Sequence, residues 1–196
     1  NVKFKNSSGT LSADNISAQE TLLQVSSGRV SASQIEGNLL IGATSGSLEV
    51  NGVTGDVMAK VSSGKASINQ VSGDVSYEST SGSLDANEIQ GTLSASLTSG
   101  NAKLNNIGSL GKLHFTSGNI RATMAGLSNQ TQFDGTSGNF TIQTNSDLKS
   151  FNFALKSSSG NLKVGSISTG KTLEIDNGAT STIRGNISSG NITIQN

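Results

Sequence analysis

The sequence predicts an all-β fold: a single-stranded, right-handed parallel β-helix (a β-solenoid) of 18-residue coils that lengthen toward the C-terminus. Three observations predict it. Glycine returns every nine residues, at Gly28, Gly37, Gly46, Gly55, Gly64, Gly73, Gly82, Gly91 and Gly100. Alternate members carry a Ser/Thr-Ser prefix, so the true repeat is eighteen residues with two unlike halves. Between glycines, Val, Leu, Ile and Ala alternate with polar residues, the period of a strand with one buried face. A period this short means one supersecondary unit stacked on copies of itself.

With Gly46 as position zero, the elements of one coil follow in order. Leu48 and Val50 at +2 and +4 form a first strand. Val53 at +7 breaks that phase by one residue, which predicts a turn at Asn51, position +5. Gly55 at +9 marks the next corner. Val57, Ala59 and Val61 form a second strand, and Ser62-Ser63-Gly64 closes the coil. The +5 column reads Asn51, Asn69, Asn87, Asn105 in successive coils. Asn tolerates the left-handed conformation, and stacked amides can bond along the stack. These four residues, with Gly46, Gly64, Gly82 and Gly100 as corner glycines of positive φ, are the predicted structural ladder. Coils this short leave no room for crossover helices, so each strand is expected to pair in parallel with its counterpart one coil away. The strand-to-parallel-strand rule favours a right-handed coil.

Beyond Gly118 the marks fall at Gly138, Gly160 and Gly190, so the coils lengthen, with an excursion near Asp176–Arg184. Phe115, Phe133, Phe140, Phe151 and Phe153 gather here, which reads as a wider core. The repeat runs without a linker, so residues 1–196 read as one solenoid domain, and the ends inside the pattern read as a fragment of a longer protein.

Charge is balanced at 13 acids and 13 bases. Its distribution is uneven: nine acids and five bases fall in residues 1–100, four acids and eight bases in 101–196. In a solenoid that gives an acidic end and a basic end, and a basic end suits an anionic envelope polymer. Cysteine is absent, which excludes disulfides and thiolate metal sites. A cysteine-free repeat rich in Ser, Thr, Asn and Gly fits an exported bacterial protein. No signal peptide or membrane span is present.

Motifs that carry chemistry are few. Residues 165–172 spell G-x-x-x-x-G-K-T, the phosphate-binding pattern, but Leu173-Glu174-Ile175 continue as a strand where that loop needs a helix. His114 is the only histidine and points outward if Leu113 and Phe115 point inward. The acids are scattered, with Asp74/Glu78 and Asp85/Glu88 as the groupings in the regular repeats, where polysaccharide cleavage needs paired or metal-binding carboxylates. Tyr77 reads as an inward, packing residue. No catalytic, cofactor-binding or metal-ligating residue is assigned, and no basic stripe with aromatics points to nucleic acid. The Ser/Thr-Ser-Gly column reads first as turn chemistry with a hydroxyl ladder and second as a hydroxyl array for glycans or ice.

The grammar of Val61-Ser62-Ser63-Gly64-Lys65-Ala66 and Val71-Ser72-Gly73-Asp74-Val75 resembles that of a bacterial family of candidate adhesins of unknown function, over nearly the whole chain. The resemblance implies a right-handed β-helix, an extracellular or cell-envelope setting, and no established catalysis; some such relatives accompany envelope-stress systems. The expected function is a non-enzymatic binding or interaction module, with a cell-wall polymer, a glycan or another protein as partner. The alternatives are a polysaccharide-acting β-helix enzyme and a purely structural stalk.

Overall fold

The period-2 strands wind into a continuous parallel ladder in the computed structural model, which describes residues 1–196. Strands β1 (Val2–Val53), β2 (Val57–Val71) and β3 (Val75–Ala125) form the regular part. β1 and β3 are longer than a coil and stay extended through most corners. β1 pairs with β2, and β2 with β3, in parallel. Leu39 lies opposite Val57 and Val57 opposite Val75, one repeat apart. Like therefore stacks on like: Val53, Val71 and Ile89 form one inward column, and Asn51, Asn69 and Asn87 one outward column. The inward columns merge into a single core of 48 buried residues. Val57 and Tyr77 belong to it, at 2% and 1% exposure.

The corners differ from expectation. The left-handed residue stands at +6, not +5: Asn15, Gln34, Gln70, Glu88, Asn106 and Met124 have φ of 51–57°, and Gly52 has 75°. The side chain at +5 still points outward and the one at +7 inward, so the residue between them absorbs the phase slip. Positive φ at the nine-spaced glycines holds for Gly46, Gly64 and Gly100 but not for Gly82, nor for Gly55, Gly73 and Gly91. At those positions lack of room selects glycine. A Cβ on Gly73 would sit 2.5 Å from the Gly55 carbonyl oxygen.

The C-terminal third corrects the expected coil order. It comprises β4 (Gln132–Thr144), a 3-10 turn at Leu148–Ser150, β5 (Asn152–Ser159), β6 (Leu162–Val164), β7 (Ile167–Thr169), β8 (Thr172–Ile175) and β9 (Thr182–Gln195). β4 stacks on the last turn of β3. The next layer is not β5 but β9, with Gln132 opposite Arg184 and Gly138 opposite Gly190. The β5–β6 coil lies outside β9, with Phe153 opposite Ile183 and Leu162 opposite Ile192. The last segment of the chain is thus spliced between two earlier ones.

Two pairings are antiparallel, β5 with β8 and β6 with β7, against the expectation of parallel pairing throughout. They lie at the outer end of the stack, on the side of β5 and β6 away from β9. The phosphate-loop pattern falls across β7 and β8, and no helix follows it.

Side-chain size specifies the splice. Gly185 of β9 lies between Phe133 and Leu155, and Ile187 between Gly135 and Ser157. Large faces small in both directions. A Cβ on Gly185 would already meet Leu155 at 2.7 Å. Stacked in chain order, Phe133 would meet Leu155, and Gly135 would meet Ser157. That juxtaposition combines overpacking with a void. Phe115, Phe133 and Phe140 fill the widened core below, with ring centroids 4.4 and 5.3 Å from Phe140.

Candidate functional site

The most regular surface feature grows from the row Ser/Thr-Ser-Gly. Ten such rows occur, from Ser7-Ser8-Gly9 to Ser188-Ser189-Gly190. Each hydroxyl residue of each row is exposed. The serines align from coil to coil: Ser45, Ser63 and Ser81 in the regular part, then Ser117, Ser137, Ser189 and Ser159. The glycine beneath lets the coils touch. A Cβ on Gly138 would lie 1.6 Å from the Gly118 carbonyl oxygen, and one on Gly160 1.7 Å from that of Gly190. The splice keeps the column unbroken along the rod, at ~4.8 Å per coil.

Beside the last five rows runs an asparagine ladder at position +1. Asn119 Nδ2 donates to Asn101 Oδ1 at 3.1 Å, and Asn139 Nδ2 donates to Asn119 Oδ1 at 2.8 Å. Asn191 Nδ2 donates to Asn139 Oδ1 at 2.8 Å, and the Asn161 backbone N–H donates to Asn191 Oδ1 at 2.9 Å. The rungs follow spatial order, with Asn191 before Asn161. Sequence reading placed the ladder at +5. There, Asn105 Nδ2 donates to Asn87 Oδ1 at 2.8 Å, whereas Asn69 Nδ2 turns to Ser67 Oγ in its own coil at 3.2 Å. Asn51 stacks in register and stays exposed. The Gly-Asn dipeptides at 100–101, 118–119, 138–139, 160–161 and 190–191 were the available signal for the +1 column.

Two of the carboxylates singled out from the sequence, Asp74 and Glu78, have local partners. Asp56 Oδ1 accepts from the Asp74 N–H at 2.8 Å, and Asp74 Oδ1 accepts from the Thr92 N–H at 2.6 Å, each tying one coil to the next. Glu78 pairs with Lys60 at 2.8 Å on the exposed face. Asp85 is exposed on the first-strand face, and Glu88 occupies a left-handed corner with φ 57°. His114 is half-buried on the outer face between the buried Leu113 and Phe115. No three His, Asp or Glu side chains come together in a metal-binding group.

In the lumen, burial pushes the Tyr77 phenol above its usual pKa of 10.0, an effect the neighbouring Ser79 hydroxyl partly offsets. The two oxygens are close enough to influence one another, yet neither has a well-formed hydrogen bond. No helix is long and apolar enough to cross a membrane.

A family model described as Toastrack DUF4097 matches the chain twice, over residues 1–98 and 88–195. The two matches meet within β3, where the coils continue without a break. No curated protein and no solved structure matches the chain.

Proposed function

We propose a function from one premise: the chain belongs to the Toastrack DUF4097 family. It is a domain family of unknown function, and the function proposed here is binding without covalent chemistry. The chain acts as a bacterial surface or cell-envelope module of adhesin type. It holds an extended polymer of the envelope along its own length, and envelope-stress sensing is one use of such contact.

The observation that carries this reading is the aligned column of ten exposed Ser/Thr-Ser-Gly rows. Hydroxyl groups donate and accept, and here their backbone is held by coil-to-coil pairing. Such a surface is preorganised for a ligand that repeats, because less conformational freedom is lost on binding. Of the Asp74/Glu78 pair, Asp74 is occupied by the Thr92 N–H and Glu78 by Lys60, which favours binding over hydrolysis there.

The test is retention of the purified chain on a panel of immobilised glycans and cell-wall polymers. Retention of at least one polymer is expected, and its weakening when Thr98, Thr116 and Thr136 are changed together to Val. Retention of none would overturn the reading. Surface-protease accessibility of the chain in a bacterial host tests the envelope setting, and protection from external protease in intact and wall-stripped cells would overturn it.

A further inference from the structure

The first-strand face changes character halfway along the rod. Its outward column at +3 runs Glu49, Ser67, Asp85 and then Lys103, Arg121. The splice continues it as Thr141, Thr193 and Lys163, each pairing with the next. From Asn101 onward this face carries no acid. The four acids of the C-terminal half lie elsewhere. Asp134 accepts from Gln132 Nε2 on the second-strand face, Asp147 caps the 3-10 turn, and Glu174 and Asp176 belong to β8 and the loop after it.

Lys103 and Arg121 are exposed and Lys163 is half-buried. None of the three has a carboxylate partner; the salt bridge of the chain is Lys60–Glu78. Asp85, one coil before Lys103, marks where the acid-free face ends. Two residues from these cations runs the asparagine ladder. Asn119, Asn139 and Asn191 each spend one amide N–H on the neighbour along the stack, Asn161 spends one on Ser168 Oγ, and an amide has two to donate. The face therefore offers a row of fixed, uncharged donors flanked by cations. Lys103 and Arg121 are ~5 Å apart by coil spacing, and Arg121 and Lys163 ~14 Å.

We infer that this face, from Asn101 to Lys163, binds a linear anionic polysaccharide lying along the stack, its carboxylates on Lys103, Arg121 and Lys163 and its hydroxyls on the asparagine ladder. The inference rests on the polymer-binding reading above and adds the face and the ligand's charge. Charge complementarity selects the class, because an extended sugar chain advances by about one coil spacing per ring and can meet successive rungs. The spliced β9 is required. Without it the ladder breaks between Asn139 and Asn161.

The probe is polygalacturonate, with dextran as the neutral comparison, measured by calorimetry or by retention at increasing NaCl. Polygalacturonate is expected to bind, and to weaken as salt screens the contact. The triple variant Lys103→Glu, Arg121→Glu, Lys163→Glu should weaken it ~10-fold or more with a smaller salt dependence. A control triple on the opposite face, Lys112→Glu, Lys156→Glu, Arg184→Glu, removes the same charge and should change binding less than ~2-fold by the same screening argument. Unchanged thermal midpoints in both variants show that the fold persists.

Equal weakening by both triples would mean net charge alone, and would overturn the assignment of the face. Dextran held as well as polygalacturonate would overturn the anionic ligand but leave the polymer-binding reading standing. Failure of every polymer on the earlier panel would remove both.

Discussion

The regular half and the spliced half of this rod are built from the same rows, yet different physics orders them. In residues 39–89 each coil meets its sequence neighbour in identical register, Leu39 to Val57 to Val75. Local chain connectivity alone suffices to choose the partner. In residues 132–195 three coils carry interchangeable Ser-Gly-Asn rows, and connectivity would choose wrongly. Core volume chooses instead, with Gly185 between Phe133 and Leu155. A repeat grammar can thus specify a layer without specifying its place in the stack. Its uniform outer columns allow the reordering, because the glycine and asparagine columns fit in either order.

The harshest test of the regular half is a charge in its lumen. Val57→Asp puts an unpaired carboxylate where the side chain is 2% exposed. The cost is several kcal/mol, ~3 or more. At ~2–4 °C per kcal/mol for a chain of this size, the thermal midpoint falls by ~10 °C or further. Circular dichroism melting measures it. A midpoint within ~2 °C of the parent, less than ~1 kcal/mol on that scale, would mean that the coils slip to expose the charge and that their register is not held by the core.

The spliced half is tested by its volume pattern. Gly185→Leu overfills the gap under Leu155 and should cost ~1–3 kcal/mol. Leu155→Ala alone leaves a cavity and should cost ~2–5 kcal/mol. The double variant should be less destabilised than the sum, because the new side chain fills the new space. Strict additivity in denaturant titrations would mean that residues 155 and 185 do not touch, and would return the coils to chain order.

The same contrast explains what could be read in advance. The parallel coils, the inward Val57 and Tyr77 and the outward His114 followed from period and phase alone. The left-handed corner was placed one residue early because Asn51, Asn69, Asn87 and Asn105 look like turn formers, whereas Gln34, Gln70 and Met124 do not. The geometry of the phase slip overrode propensity there. The splice was hidden because Gly138, Gly160 and Gly190 present equivalent rows. The sizes at 133, 155 and 185 held the answer but become comparable only once the columns are aligned. The asparagine ladder at +1 was missed in favour of the more continuous +5 column, and its spatial order depends on the splice.

A smaller effect separates the halves at their ladders. Asn191→Ala removes a donor to Asn139 and an acceptor for Asn161, both 3 Å or shorter. At ~0.5–1.5 kcal/mol per bond the expected loss is ~1–2 kcal/mol. Asn69→Ala in the regular half removes a bond within one coil, to Ser67. Being local and half-exposed, it should cost ~0.5 kcal/mol or less. Denaturant midpoints measure both. Equal losses would mean that the splice draws no support from its asparagines.

The smallest effect is a gain, in the regular half. Tyr77 is 1% exposed, and its hydroxyl lacks a well-formed hydrogen bond. Tyr77→Phe keeps the ring opposite Ala59 and removes the stranded group, which should be neutral to stabilising by up to ~1 kcal/mol. The pH dependence gives a second reading of the same site. Burial raises the folded-state phenol above its unfolded value near 10.0, with Ser79 pulling weakly the other way. The folded chain then holds its proton more tightly than the unfolded chain. The resulting stability is fully present below pH 10 and is lost as pH rises from there through the folded value. The parent should therefore lose stability across that alkaline window more steeply than Tyr77→Phe, the only tyrosine being gone in the variant. Parallel curves above pH 10 would mean that the phenol reaches water when it ionises, and that the narrow lumen opens at this coil.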